Sequence, residues 1–222
     1  MKSVTVMKRL AGMALGLAVT ACASQVKAPD YTAFRAAKPH SIIVLPPVNH
    51  TPDVKATNGV LSQMTMPLAE GGYYVVPVTL ETETFRQNGL SAPDEIMQAP
   101  AEKLRTIFGA DAALYTTVTA YGSVYHVIDS NTVVTANSKL VDLKTGSVLW
   151  TGTGTASGAD VGEMSGGGNI IGMLIVAAVK QVSNNLTDHS FPVAAVTANR
   201  LLKVGPPDGL LYGPRSVKYG TD

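Results

Sequence analysis

Val141-Asp-Leu-Lys-Thr-Gly-Ser-Val-Leu-Trp150 is the stretch on which the fold turns. Gly146 suits the left-handed position of a type I turn with a bulge, the connection that joins two antiparallel strands. Asn131 to Leu143 leads into the turn and Ser147 to Ala156 leads out, each alternating at the period of a strand with one wet face. In the outgoing strand Val148 and Trp150 are expected on one face and Leu149, Thr151, Thr153 and Thr155 on the other. The Thr-rich face is then open to water or shared with a partner. Upstream, Ala112 to Tyr125 alternates in the same way and supplies a third strand.

Before that strand the pattern changes to strands and helices in turn. Ser41-Ile-Ile-Val-Leu45 is a continuous apolar run closed by Pro46-Pro47, the signature of a strand buried on both faces. Asn58 to Glu70 puts Val60, Leu61, Met64 and Leu68 on one helical face and ends at Gly71-Gly72, with Pro67 weakening its last turn. Tyr73 to Val76 reads as a second buried strand. One helical segment then ends at Asn88-Gly89, a second is expected to be capped by the Ser91 hydroxyl, and a third runs from Pro100 to Gly109 with Leu104, Ile107 and Phe108 on one face.

Beyond the hairpin, a Gly-rich loop from Gly158 to Gly168 leads into Asn169-Ile-Ile-Gly-Met-Leu-Ile-Val-Ala-Ala-Val179, eleven apolar or small residues that continue as a polar helix through Leu186. That run is too short to cross a bilayer, which takes roughly 20 apolar residues. Ser190-Phe-Pro192 opens a last helix to Leu202, and the tail from residue 204 to 222 is rich in Pro, Gly and Tyr, without a packed core of its own.

The amino terminus carries the localisation signal. Lys2, Lys8 and Arg9 precede an uncharged stretch from Leu10 to Ala21, the charged and apolar regions of a secretory signal. Val19-Thr20-Ala21-Cys22 resembles the lipobox of bacterial lipoproteins, which implies a diacylglycerol thioether on Cys22, cleavage before it and acylation of the new amino group. Two or more acyl chains anchor stably. An ordinary signal peptide with a chance cysteine is the competing reading, and the position of Cys22, the sole cysteine, argues against it. Ala23 in place of Asp favours the outer membrane over the inner one. The expected organisation is therefore a signal over residues 1–21, an acylated cysteine and tether over 22–39 with a short turn at Asp30 to Arg35, an α/β domain over 40–203, and the tail.

Composition excludes some functions. Without the signal, fourteen basic residues face sixteen acidic ones. Nucleic acid needs a clustered basic surface, so it is not an expected partner. His40, His50, His126 and His189 are scattered without metal-ligand spacing, and no nucleophile elbow is present, so neither a metal, a cofactor nor catalytic residues are expected. His50 follows the first strand, where α/β sheets often hold ligands, but a solvated loop histidine fits as well. Ser165-Gly-Gly-Gly168 ahead of a helix serves either as a hinge or as an anion cradle. The spacing of Gly168 and Gly172, with Ile175 and Ala177 on adjoining turns, permits close approach of another helix. That helix either packs against the sheet or forms a partner surface, and its apolar residues go all round from Ile170 to Val179, more than one sheet can cover.

The strand Ile-Val-Leu-Pro-Pro-Val-Asn (residues 43–49) and the hairpin Val141 to Trp150 together resemble a family of Gram-negative lipoproteins encoded beside a lipoprotein like the curli secretion channel. More distantly, the chain is similar to the amino-terminal domain of TolB and the periplasmic domain of the curli channel, over roughly Ser41 to Leu186. The resemblance implies an α/β (α+β) sandwich of two or three layers on a mixed sheet. It transfers no catalytic residue, and since the long hairpins of the channel proteins are missing here, it does not transfer a pore. The function expected is a non-enzymatic, membrane-anchored component that associates with itself and with other envelope lipoproteins in secretion, transport or surface assembly. The alternative is a periplasmic small-ligand-binding or hydrolytic domain with its pocket near Pro46 to Thr51 and the Gly-rich loop.

Overall fold

The computed structural model of the chain describes residues 29–125, 130–161 and 188–222. Its centre is a six-stranded mixed sheet, with β1 (Ser41–Val44) and β2 (Val48–Asn49) both running parallel to β4 (Ala112–Tyr125). Pro46 and Pro47 lie between β1 and β2. Neither has an N–H to give to a ladder, so pairing with β4 lapses across them and resumes at Val48 opposite Thr117. Ile42, Ile43, Val44 and Leu45 are all completely buried, as a strand covered on both faces requires.

β3 (Tyr74–Val75) pairs parallel to the outer side of β1. The expected buried strand over Tyr73 to Val76 is thus a two-residue edge strand. Tyr73 and Val76 are buried, but Tyr74 is exposed, with the Arg215 guanidinium 5.4 Å from its ring.

On the other side of β4 come β5 (Ser130–Asp142) and β6 (Val148–Ser157), antiparallel in order, with Gly146 at φ 74° in the turn. The expected face assignment of β6 fails at its start. Leu140 pairs with Trp150 while Val141 pairs with Val148, so Leu149 is an extra residue. Such a bulge kinks the strand and interrupts its alternation. Leu149 and Trp150 are both buried, and Val148 is half exposed.

Helices cover the two faces unequally. α1 (Thr32–Ala37), α2 (Ala56–Glu70) and α6 (Ser190–Leu201) lie over one face, on a core that runs from Ile42 and Val44 through Leu114, Val118 and Ala136 to Trp150. α3 (Val78–Gln87), α4 (Pro93–Ile96) and α5 (Ala101–Phe108) lie over the other, on a smaller core of Ile43, Leu45, Phe85, Leu104, Ala113 and Leu143. The fold has three layers at its parallel half and two at the hairpin, within the mixed α/β class expected.

Several local readings change. α2 buries the four predicted residues and runs unbroken through Pro67. α4 starts at Pro93 after Ala92, without the expected Ser91 side-chain cap. In α5 Leu104 is buried but Ile107 is half exposed. At α6 the capping acceptor is Asp188, whose Oδ1 takes the Ser190 N–H at 2.9 Å. The turn expected at Asp30 to Arg35 is the helix α1, pinned by buried Phe34. The tail joins the larger core through fully buried Leu210, and Tyr31 and Tyr73 donate their hydroxyls to Gly209 O (2.5 Å) and Leu211 O (2.6 Å). No helix among the described residues is long and apolar enough to cross a membrane.

Candidate interaction surface

Where the second helical layer ends, one face of β4, β5 and β6 is left without a covering helix among the described residues. Strand register sets its composition: Tyr115, Lys139 and Thr151 form one row, Thr117, Asn137 and Thr153 the next, and Thr135 and Thr155 a third. Asn137, Lys139, Thr151, Thr153 and Thr155 are exposed and the others half-buried. Met97, just past α4, closes one end of a shallow recess of about 680 Å³ over these rows.

The side chains of the face are partly organised among themselves. Thr153 Oγ1 donates to Asn137 Oδ1 at 2.7 Å, the Thr135 and Thr155 hydroxyls are 3.2 Å apart, and the Lys139 ammonium sits 5.2 Å from the Tyr115 ring centre. Lys139 is the one charge in the rows. Among the described residues no carboxylate or imidazole stands in these rows beside the hydroxyls. What the face offers is hydroxyl, amide and phenol groups for hydrogen bonding across a flat sheet.

The outer edge of β6 is closed at its carboxyl end. Arg200 donates to Thr155 O at 3.1 Å and to Asp160 Oδ1 at 2.6 Å, while Asp160 Oδ2 accepts from the Ser157 N–H and hydroxyl. The Arg200 bond, followed by those from Ser157, holds the Asp160 carboxyl well below the usual carboxylate range. Covering an edge this way blocks further strand addition there, so the face rather than the edge is the open surface.

Other expected sites resolve differently. Around Pro46 to Thr51 the polar groups satisfy one another: Asn49 Nδ2 donates to Asp53 O (2.8 Å), and Asn49 Oδ1 accepts from the Thr51 N–H and hydroxyl (both 2.8 Å). His50 is exposed beyond β2, with its N–H bonded to Val118 O. His40 is exposed far from His189, and among the described residues no group of His, Cys, Asp or Glu is placed to hold a metal. Cys22, His126, the Ser165 to Gly168 loop, Gly172, Ile175 and Ala177 lie outside the described residues.

Two features were not anticipated. Glu81 of α3 is completely buried, and both carboxylate oxygens are without a hydrogen-bond partner among the described residues. Desolvation pushes its pKa up to about 9. An aromatic crevice also opens between α1 and the tail. Nothing in a single Glu on an amphipathic helix signals burial, but the tyrosines of the Pro- and Gly-rich tail were a sign that it packs.

The profile of the family described as "Putative lipoprotein GNA1162-like" matches residues 29–215. The chain belongs to that family. It is similar to NMB1124/NMB1162 of Neisseria meningitidis serogroup B, described likewise, at 45% identity over 209 residues, covering 93% of this chain and 95% of the relative. The crystal structure of lipoprotein GNA1162 from Neisseria meningitidis matches at 43% identity with a TM-score of 0.52, over 66% of this chain and all of that one. The carboxyl-terminal domain of LpoB from Salmonella enterica matches at 21% identity and a TM-score of 0.40, over 52% of this chain and 81% of that one, too distant to bear on function. Family membership places the chain among lipoproteins and agrees with its mixed α/β fold.

Proposed function

We propose that the protein is a lipid-anchored, non-enzymatic assembly component of the bacterial envelope, held by acyl chains on Cys22 to the outer membrane and associating with further copies of itself and with other lipoproteins in a secretion or transport system. The observation that carries this reading is the polar face of β4, β5 and β6, which no helix among the described residues covers and whose rows present hydroxyl, amide and phenol groups suited to docking. Membership of a lipoprotein family supports the anchor, as does the lipobox. The apolar run with Gly168, Gly172, Ile175 and Ala177, read from the sequence as a helix, supplies the second association surface.

The anchor is tested by labelling cells with a radioactive fatty acid. Cys22→Ala abolishes incorporation, because no other thiol can take the diacylglycerol. Undiminished labelling would remove the anchor from the proposal. Association is tested by light scattering on the detergent-purified lipoprotein over a concentration series. Thr153→Arg, which sets a long cation in the middle row, and Gly172→Leu, which forces helices apart, each lower the mass. Overpacking one buried position costs ~1 to 3 kcal/mol, roughly a tenfold to hundredfold weakening. A wild-type protein that stays monomeric at high micromolar concentration would end the self-association reading.

A further inference from the structure

The crevice between α1 and the tail is a preformed cavity of about 200 Å³ with carbon-rich walls. Tyr73, Leu211, Tyr212 and Tyr219 line it, and Arg35 and Lys38 stand exposed at its rim. Its walls are fixed by the fold. Gly213 N–H bonds Gly71 O at 2.8 Å, Arg215 N–H bonds Gly72 O at 3.0 Å, and the Tyr212 N–H bonds Asp222 Oδ2 at 2.6 Å, closing the tail into a loop. A cavity that needs no rearrangement to open costs little to fill.

Cations outnumber acids around the crevice, with Arg35, Lys38 and Lys218 against Asp222. Lys218 Nζ lies 5.6 Å from the Tyr212 ring centre and Arg35 5.6 Å from that of Tyr31, each cation resting on an aromatic face. Asp222 lines the crevice too, its Oδ2 taken by the Tyr212 N–H, and Asp208 nearby is paired with Lys203 at 2.6 Å. Among the described residues no ion pair involves Arg35, Lys38 or Lys218.

Position in the chain indicates what meets this surface. α1 begins ten residues after Cys22. Even fully extended, that linker spans at most about 35 Å. If Cys22 is acylated, which is the reading proposed above and on which the location rests, the crevice and its cations are held within that reach of the bilayer.

We infer that this crevice is a second membrane contact, one that takes an anionic phospholipid of the anchoring membrane: the headgroup lies against Arg35 and Lys38, and the start of an acyl chain enters between Tyr73, Tyr212 and Tyr219. Cations over apolar surface suit that interface, because the charged ends reach headgroups while the stems and rings meet hydrocarbon.

The test uses the chain from residue 22 with Cys22→Ala. Its outcome is therefore independent of acylation, which the labelling experiment decides. Among the described residues every buried core residue lies at or beyond Phe34, so this protein keeps that core. Sedimentation with vesicles of phosphatidylglycerol in phosphatidylcholine is expected to carry the protein down, and vesicles of phosphatidylcholine alone are not. Each basic residue near an anionic surface contributes enough that Arg35→Ser with Lys38→Ser weakens binding about thirtyfold. Tyr219→Ser weakens it as well, at unchanged circular dichroism. Lys103→Ser with Lys144→Ser, both exposed and outside the crevice, leaves binding within about twofold. Equal loss in the two double variants would reveal attraction to net charge alone and overturn the site. So would indifference to phosphatidylglycerol, or calorimetric binding of dodecyl phosphate by a protein that ignores vesicles, since the crevice would then serve a free amphiphile.

Discussion

Replacing Glu81 with Met is expected to stabilise the protein at pH 8 and to flatten its stability between pH 5 and 8. Glu81 sits in the first turn of α3, one turn before buried Phe85, where the chain runs into the smaller core. The positive end of the helix dipole favours a carboxylate there, but by 1 kcal/mol or so, and burial without a partner costs several times more. Desolvation therefore wins, and the group stays protonated to about pH 9. The unfolded chain releases this proton near pH 4.5, so between those values the native state holds one proton more. Stability is then greatest below pH 4.5 and falls as pH rises, by up to about 1.4 kcal/mol per unit, until the native group ionises too. Between pH 5 and 8 the wild type should lose about 2 to 4 kcal/mol that the Met variant keeps. Urea unfolding of both proteins at pH 5, 6.5 and 8 measures this. Parallel profiles would mean that Glu81 has a partner or reaches water in solution.

How much of this architecture is legible in the sequence depends on what each element's pattern reports. Alternation reports burial on one face, so the long strands and the wet Thr rows of β6 could be read from Thr151, Thr153 and Thr155. It says nothing of which strand lies at an edge, so Tyr73 to Val76 reads like Ser41 to Leu45 although β3 is the edge and β1 is central. Nor does it foresee a bulge, because Leu149 is displaced by how β6 pairs with Leu140 and Val141 of β5 across the turn. A wet face was legible on each of the three long strands from its alternation. That Asn137 and Lys139 stand beside Thr153 and Thr151 follows from register, and that no helix among the described residues covers them is a tertiary fact. The crevice was out of reach for a similar reason: its walls come from both ends of the domain, brought together by Tyr31 and Tyr73.

The two faces of the hairpin divide the labour. Opposite the exposed rows, Gly152, Gly154 and Ala156 alternate with Thr151, Thr153 and Thr155, so the face toward α6 is built from residues with little or no side chain. A helix can then lie close to β6 and support the sheet from behind, with no helix among the described residues over the front. A docking surface made of neutral hydrogen-bonding groups depends on that support, because its rows are set only by strand register.

That support makes Gly154 a position where a small change should do harm. Glycine in a strand is ordinarily a weak point, and adding a methyl group to one at an open site stabilises by roughly 0.5 to 1 kcal/mol. At Gly154 the sign reverses. A Cβ there would stand 2.6 Å from Leu201 Cβ and 2.8 Å from Thr197 O, and the second of these is helix backbone that cannot turn aside. Thr197 is itself buried, and its hydroxyl donates to Val193 O at 2.9 Å and lies 3.2 Å from Val134 O on β5. Any outward shift of α6 lengthens that contact with the sheet and opens the core at Leu201. Overpacking costs ~1 to 3 kcal/mol and a lost buried hydrogen bond about 1 more, which outweighs the propensity gain. Gly154→Ala is therefore expected to lower stability by about 1 to 3 kcal/mol and Gly154→Val by 3 kcal/mol or more, read as a fall in the urea midpoint. Thr153→Val, one residue away on the open face, should stay within about 0.5 kcal/mol of wild type. Wild-type stability in Gly154→Val would place α6 farther from β6 than the packing described, and the rigid backing of the docking face would go with it.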